Sequence, residues 1–500
     1  MSLSTALNII NSAFVSNAAQ SAVISSNISN AGTKGYSREI ANVITAFGGG
    51  SEVVSVTREA NAALLEQVNA STSQAAYQQA LSNGLTTLAS TVSDSSSTTS
   101  SSGATANGNS PSAMLANLQS ALETYDASPS SPSAAQGVLT AAQDLAQSLN
   151  TGASAVESVR EQADSDMATA VSSINSLLSQ FASVNATIVS GTATGANVSA
   201  ALDARDNILT QLSQQMGIST VANPDGSMSI YTDSGVTLFQ GGTARTVSFT
   251  PSATLPDGTS GNAVTVDGVP ITGSSSPMAI HSGALAGLAN LRDVVAPQYG
   301  AQLDQIAQGL ISAFAESDQT GGTAPTMPGL FTFAGATGVP SVSTATGLAA
   351  EIAVNANVDP SQGGNVNLLR DGGVADPTNS AYTYNTTGVA SFTGRIAQMI
   401  SALTTSQSFN GAAGLGTSSS LSDYANASVS WLQGQNQQAS NQLDYQNSLV
   451  SQASTALSNA TGVNLDTEMT NMLSIENSYT TTAKLLTTVN AMFSTLLNAV

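Results

Sequence analysis

The chain has 500 residues, of which only 8% are charged and 4% aromatic, and its net charge is −21. This length predicts several domains, because typical domains contain about 100–200 residues. The excess of acidic residues repels phosphates and argues against a nucleic-acid partner. With no cysteine and a single histidine, His281, the sequence excludes disulfides, thiolate metal sites and sites built from several histidines.

Membrane association is equally unsupported by the sequence. No run of 18 or more apolar residues occurs, and no basic patch is present that would attract anionic lipid. The first basic residue is Lys34, and the apolar residues before it are spaced periodically, unlike a secretory signal. If the protein leaves the cell, we expect another export route without a cleaved signal peptide.

Both ends of the chain carry apolar residues at alternating spacings of three and four, which predicts a helix with a coiled-coil stripe at each end. Asn464 is a predicted N-cap of the second helix. Each helix needs a partner for its apolar face, so we expect the two ends to pair. The predicted packing residues are Leu3, Leu7, Ile10, Phe14, Ile24 and Ile28 at one end and Leu485, Val489, Met492 and Leu496 at the other.

The same period recurs inside the chain, from Ala163 to Ile188 and from Val429 to Leu457, with shorter stripes at Leu81–Val92 and Leu303–Leu310. Several such stripes in one weakly charged chain predict a helical bundle. The Ser, Thr, Gly and Asn segment Ser93–Ser112 predicts a loop or linker.

Between the helices the period changes to two. The turn Asn223–Gly226 and the pair Asp267-Gly268 separate short alternating runs, which predicts hairpins. Residues 319–390 are rich in Gly, Pro and Thr, with candidate strands at Leu330–Phe333 and Glu351–Val354.

These patterns predict an α+β multidomain fold, with coiled-coil or helical-bundle terminal domains formed by paired N- and C-terminal segments and β-rich domains inserted in the middle. We expect four units. They are residues 1–60 with 460–500 as a terminal helical domain, 61–216 with 281–318 and 391–459 as a helical bundle, 217–280 as a β domain, and 319–390 as an irregular β-rich insertion.

Two segments resemble flagellar axial proteins. The run Ser26–Asn30 followed by Gly35–Arg38 resembles the signature that closes the first helix of rod, hook and hook-associated proteins, with Asn27, Asn30, Gly35, Tyr36 and Arg38 as its motif residues. The run Gly462–Met469 and the helix after it are similar to the C-terminal helix of the hook-associated protein 1 family, and the hook protein has a similar ending. Three features favour the hook-associated protein 1 family over the hook protein. They are the form of the Gly35–Arg38 motif, the helix Ala201–Asp206 and the long helices before residue 217.

This resemblance implies a structural subunit, without enzymatic activity or cofactor, at the junction of hook and filament. It implies type III export to the extracellular flagellum, with the help of an export chaperone. The implied partners are copies of the chain in a tubular ring, hook protein below, and a second junction protein or filament subunit above.

Three alternatives are a hook or rod subunit, a secreted adhesin and an enzyme. An adhesin should show repeats of β period along the chain, whereas this chain has helical ends. An enzyme needs a nucleophile, a base and an orienting group, and no such set is evident. Asp203 and Asp206 share a helix face, but Arg205 lies between them and a third ligand is missing, so we interpret them as a solvated face.

Overall fold

The computed structural model describes residues 2–46, 49–92 and 108–498. The fold is α+β, with long helices towards both ends and small antiparallel sheets between them, as the sequence predicts. The helices are α1 (Leu3–Asn30), α2 (Ala62–Ser90), α3 (Pro111–Ala127), α4 (Pro132–Thr194), α5 (Ser199–Gln215), α6 (Ala284–Asn290), α7 (Ala296–Ala313), α8 (Leu348–Glu351), α9 (Leu368–Asp371), α10 (Gly394–Thr404), α11 (Leu421–Thr461) and α12 (Leu465–Asn498).

Thirteen strands are assigned among the described residues, and all pairings are antiparallel. The strands are β1 (Glu39–Thr45), β2 (Ser51–Arg58), β3 (Ile218–Ala222), β4 (Met228–Thr232), β5 (Thr237–Gln240), β6 (Thr243–Ala244), β7 (Val247–Ser248), β8 (Thr265–Val266), β9 (Val269–Pro270), β10 (Phe331–Thr332), β11 (Ala353–Val354), β12 (Gln407–Ser408) and β13 (Ser418–Ser419).

Helix α4 is the central helix of the body, by which we mean the part of the chain between the β1–β2 hairpin and α12. Its 63 residues span about 95 Å at 1.5 Å per residue. Ser131 caps its start by accepting a hydrogen bond from the amide of Ala134, and Gly195 ends it in the left-handed conformation. The predicted stripe from Ala163 to Ile188 lies in the core, with Val184 at its edge. The first half of α4 and the whole of α3 carry no stripe that the sequence analysis identified.

Other helices of the body pack around α4. Helices α3, α5, α6 and α7 contact α4, and α2 packs lengthwise against α11. Between these two helices, the hydroxyl of Thr86 on α2 donates to Oδ1 of Asn436 on α11. The predicted loop Ser93–Ser112 lies mostly outside the described residues, and its last part is not a loop. Ser110 accepts from the amide of Ala113 and starts α3, because Pro111 fits the first helical turn.

The strands of residues 217–280 form a four-stranded sheet, β3-β4-β5-β6, and a three-stranded sheet, β7-β8-β9. The predicted turn at Asn223 is present, since its amide donates to the carbonyl of Ser227 at 2.8 Å. The pair Asp267-Gly268 joins β8 to β9 with positive φ angles of 47° and 83°. Those angles are the ones that a two-residue hairpin turn requires.

Residues 319–390 contain little regular structure. The two candidate strands are present in shortened form as β10 and β11, which pair with each other. Glu351 instead ends α8, so the second strand begins two residues later than predicted.

Two fully buried arginines join α4 to the loop between β7 and β8. Nη1 of Arg160 donates to the carbonyl of Leu255 at 2.8 Å, and its Nε donates to the carbonyl of Arg292 at 3.1 Å. Arg292 lies in a short π-helical turn and pairs with Asp164 of α4 and with Asp293. Because buried guanidinium groups need their donors satisfied, this cluster ties the loop between β7 and β8 to α4.

Candidate functional site at the joined chain ends

Helices α1 and α12 pack together as an antiparallel pair, and the β1–β2 hairpin covers the other side of α1. We call these three elements the terminal unit. The rings of Phe14 and Tyr479 lie 5.8 Å apart, and Asn17 donates to the hydroxyl of Ser478 at 3.0 Å. Ser21 contacts the sulfur of Met472. The two chain ends therefore pair, as the sequence predicts.

The interface between α1 and α12 follows a seven-residue repeat. On α1 its buried members are Ile10, Asn17 and Ile24, and on α12 they are Glu468, Ile475, Thr482 and Val489. A repeat of seven keeps one face of each helix turned towards its partner. Several of these seam residues are polar, which specifies register at a cost in stability.

The predicted packing residues divide into three groups. Ile10, Ile24 and Val489 are buried in the seam, and Leu3, Leu7, Phe14 and Ile28 are half-buried. Leu485, Met492 and Leu496 are about half exposed, at 53%, 48% and 56%. Leu485 and Met492 do not face α1, whereas Leu496 lies seven residues after Val489, on the seam face. The predicted C-terminal stripe mixed two faces, because Leu485 and Met492 each lie three residues after a seam position.

A polar network closes the seam at the end of α1. Nε of Arg38 donates to Oε1 of Glu468 at 2.7 Å, and its Nη1 contacts Glu59 at 3.2 Å. Nδ2 of Asn27 donates to the other carboxylate oxygen of Glu468 at 3.1 Å, and Oδ1 of Asn27 accepts from the hydroxyl of Tyr36. The hydrogen bond to Glu468 raises the pKa of Arg38, which stays charged.

The motif residues Asn30 and Gly35 shape the turn that leads from α1 into the hairpin. Nδ2 of Asn30 donates to the carbonyl of Ser26, one helical turn back, at 3.0 Å. Gly35 has a φ of +80°, and a Cβ atom there would lie 2.5 Å from the side-chain amide of Asn207 on α5. The turn thus lies directly on α5, and only glycine fits.

Asp203 and Asp206 do not form a solvated face, so that interpretation is wrong. Arg58 at the end of β2 pairs with both, at 2.7 Å to Asp203 and 2.6 Å to Asp206. Asp203 also accepts from the amide of Ser37 at 3.1 Å. Burial raises the pKa of Asp206, and the charge of Arg58 opposes that effect. The pair lies against the terminal unit and joins it to the body.

Sequence reasoning missed these partners for a definite reason. Glu468 lies in the first turn of α12, where a negative charge is favourable for the helix dipole, and the predicted N-cap Asn464 does cap that helix by accepting from the amide of Thr467. The partner of Glu468, however, is 430 positions away, and Arg58 is 145 positions from Asp203. No local pattern carries information about such pairs.

Exposed apolar side chains concentrate on the terminal unit. Of sixteen large hydrophobic residues with high exposure among the described residues, four lie on α1 and the hairpin and seven on α12. They are Val15, Val43, Ile44, Val54, Leu465, Met469, Leu473, Leu485, Met492, Leu496 and Leu497. A surface of this kind marks a place where another molecule packs.

The described residues offer little that suggests chemistry. In these ranges no group of three or more His, Asp or Glu side chains is placed to hold a metal ion. Across residues 2–46, 49–92 and 108–498, no helix is both long and apolar enough to span a bilayer.

Two family models match the chain. The one described as the helical domain of flagellar hook-associated protein FlgK matches residues 103–333, and the one described as the C-terminal region of flagellar basal body rod FlgEFG protein matches residues 455–499. Flagellar hook-associated protein 1 of Salmonella typhimurium is 25% identical over 311 residues, which are 60% of this chain and 54% of that protein. The chain is therefore similar to flagellar hook-associated protein 1, most clearly in its helical body.

The relative of the same name from Escherichia coli is also 25% identical, over 318 residues that make up 61% of this chain and 56% of that one. The chain thus spans about half the length of the curated hook-associated proteins that it matches. The flagellar hook junction protein FlgK of Burkholderia pseudomallei has 24% identity and a TM-score of 0.41, over 54% of this chain and 46% of that structure. The hook-associated model covers α3 to α7 of the body, and the rod model covers the whole of α12.

Proposed function

We propose that this chain is a structural subunit of the bacterial flagellum, which forms the junction between hook and filament and allows the filament to assemble. The proposal is structural and assigns no catalysis. The observation that carries it is the concentration of exposed apolar residues on the terminal unit, where eleven of the sixteen lie. Such a surface is expected of a subunit that packs against copies of itself.

The composition supports the same role. With 8% charged residues and many Ser, Thr, Asn and Gln residues, the surface can form extensive contacts without desolvating many charges. The partners that we propose are copies of the chain in a tubular ring, hook protein below, and a second junction protein or filament subunit above. We also propose export through the flagellar type III apparatus, assisted by a chaperone.

A hook or rod subunit is the nearest alternative, because the match at residues 455–499 is to rod proteins. The match at residues 103–333 favours the junction role, since the matching family model is that of the helical domain of a hook-associated protein. A junction subunit presents one face to each of two tubular lattices, which a hook subunit has no need to do.

Deleting the gene tests the proposal. We expect hooks of normal length without filaments, and filament protein in the culture fluid, because export continues with no place for subunits to add. A plasmid copy of the wild-type gene should restore filaments. Loss of the hook itself would indicate a hook subunit, and full-length filaments on the deleted cells would contradict the junction role.

A further inference from the structure

Within the described residues, the terminal unit and the body do not share an apolar core. The core of the body extends from Tyr77 to Ala439, and the described part of the chain contributes no residue of α1, the hairpin or α12 to it. The main contact between the terminal unit and the body is made by β2 and α5. The position of the terminal unit therefore depends on a small contact and on the linkers that cross between the two parts.

The chain crosses between the two parts twice, each time through a short linker. Residues 59–61 connect β2 to α2, and residues 462–464 connect α11 to α12; neither linker belongs to a helix or a strand. Both linkers meet the backbone of Arg38. Its amide donates to the carbonyl of Thr461 at 2.8 Å, and its carbonyl accepts from the amide of Glu59 at 2.8 Å. Two short linkers that lie side by side form a hinge, because a rotation there distorts no helix or strand.

A polar cluster beside these linkers bridges the hinge. Arg58 of β2 pairs with Asp203 at 2.7 Å and with Asp206 at 2.6 Å, and the exposures of the three side chains are only 10–19%. The amide of Ser37 also donates to Asp203, at 3.1 Å. Ion pairs that are largely removed from water require one geometry, because a carboxylate that loses its partner there is left uncompensated.

The body side of this cluster is firmly held. Ile208, Leu209 and Leu212 anchor α5 in the core, and Nη1 of Arg205 donates to the carbonyl of Gly226 at 2.9 Å. On the other side, the hairpin packs on α1 as part of the terminal unit. The cluster thus connects two parts that each have their own packing, and it acts on the angle between them.

We propose that Arg58, Asp203 and Asp206 form a latch that holds the terminal unit at one angle to the body, and that its release lets the terminal unit rotate about the paired linkers. Arg58 is a positioning residue in this scheme, whereas Arg38 and Glu468 hold the terminal unit itself together. In a subunit that packs against copies of itself, such a joint lets the terminal unit take the angle that its neighbours impose. That use rests on the proposed function, and the joint itself is independent of it.

Spin labels on both sides of the joint test the latch in the purified chain. Asn477→Cys on α12 and Gln211→Cys on α5 supply the two thiols, because both positions are exposed and the natural chain has no cysteine. Pulsed electron paramagnetic resonance then gives the distribution of distances between the labels. With Arg58 present we expect one narrow distribution, and in Arg58→Gln a distribution at least twofold wider. Arg58→Lys keeps the charge and should give an intermediate width.

Arg245→Gln is the matched control, because Arg245 forms an exposed ion pair with Asp267 between the two sheets of residues 217–280. It should leave the distribution as in wild type. Asp206→Asn removes only one of the two ion pairs and should widen the distribution less than Arg58→Gln does. Hydrogen exchange of α12 in Arg58→Gln should match wild type, since the terminal unit stays folded. An unchanged width in Arg58→Gln, an equally wide distribution in wild type, or loss of protection in α12 would overturn the latch.

Failure of the latch is separable from failure of the proposed function. The distances are measured in the purified chain, whereas the junction role is judged by filaments on the deletion strain. A distribution in Arg58→Gln as narrow as in wild type would reject the latch and leave the junction role standing.

Discussion

Arg38 and Glu468 join the two ends of the chain through a 2.7 Å hydrogen bond between Nε and Oε1, across 430 positions of sequence. The side chain of Glu468 is only 1% exposed, and its second oxygen accepts from Asn27. Removing the guanidinium would therefore leave a buried carboxylate with one neutral partner.

We expect Arg38→Gln to destabilise the terminal unit by about 1–3 kcal/mol, the usual cost of a buried group that loses its charged partner. Because a chain of several domains need not unfold in one step, hydrogen exchange at the start of α12 is the suitable measurement. Glu476→Gln, on the exposed polar part of α12, is the control. Equal protection in Arg38→Gln and wild type would contradict the importance of this pair.

Val489 and Leu485 separate folding of the terminal unit from its assembly. Val489 is 6% exposed in the seam, and Leu485 is 53% exposed on a face of α12 turned away from α1. Val489→Asp places a charge in an apolar contact, so we expect loss of protection throughout α1 and α12 in the purified monomer. Leu485→Asp should change monomer stability by less than about 0.5 kcal/mol yet reduce incorporation into junctions.

Thr481→Asp adds the same charge to the exposed polar surface and should alter neither property. Monomer hydrogen exchange and immunogold counts of junctions measure the two effects. A Leu485→Asp chain that unfolds as the Val489→Asp chain does would show that the two residues share one face after all.

Gly35 is the turn residue that lies on α5. Gly35→Ala forces a side chain into the left-handed region, which costs about 1–2 kcal/mol, and puts its Cβ 2.5 Å from the amide of Asn207. We expect the turn to lift from α5, with weaker protection of the amides of Ser37 and its neighbours.

Gly32→Ala provides a close control, because Gly32 has no neighbouring atom within 4 Å of its added Cβ. Adding Asn207→Ala to Gly35→Ala should relieve the collision and leave the backbone strain, so the double variant should recover part of the loss. Full recovery, or no effect of Gly35→Ala alone, would refute the proposed fit.

The buried carboxyl of Asp304 on α7 predicts that the stability of the body depends on pH. Its carboxylate oxygens accept from the amides of Gly347 and Ala349, both at 2.8 Å, and burial raises its pKa from 3.8 to about 7. A carboxyl whose folded pKa is raised binds its proton more tightly in the folded state. Between about pH 4 and pH 7, stability should therefore fall as pH rises.

Asp304→Asn removes this titration, so its stability relative to wild type should increase from pH 4 to pH 8. Hydrogen exchange of the core amides of α7 in both proteins across that range, corrected for intrinsic exchange rates, gives the difference, and the other carboxyls cancel in it. Asp166→Asn, on the exposed side of α4, is the control. Parallel stability curves for Asp304→Asn and wild type would exclude the raised pKa.

The sequence predicted the long helices because each buries an apolar face with a regular period. Ile174 and Phe181 of α4 lie in the core at the spacing that the pattern required. It did not identify α3, whose buried residues such as Leu118 and Leu122 occupy a segment directly after a Ser-rich run. The sequence also did not show which face of α12 packs against α1. Apolar residues occupy two faces of that helix, and only contact with α1 distinguishes them.

The polar part of the site could be predicted only in part. Motif residues such as Asn27 and Tyr36 lie in one cluster, because a turn brings them together locally. The pairing of Arg58 with Asp203 depends on how the hairpin lies on α5, which is a property of the packed chain. Charge spacing alone favoured a solvated face there, because local sequence carries no record of a cation that arrives from another element.

The distance in sequence between Arg38 and Glu468 also affects when the terminal unit can fold. A ribosome that adds roughly 5–20 residues per second needs tens of seconds to make the intervening chain. Helix α1 has no seam partner during that time, and α2 likewise waits for α11. Helices α3, α4 and α5 are close in sequence and can pack much earlier. Helix α1 is thus synthesised long before it can reach its final structure, and its apolar face is accessible to a chaperone throughout that interval.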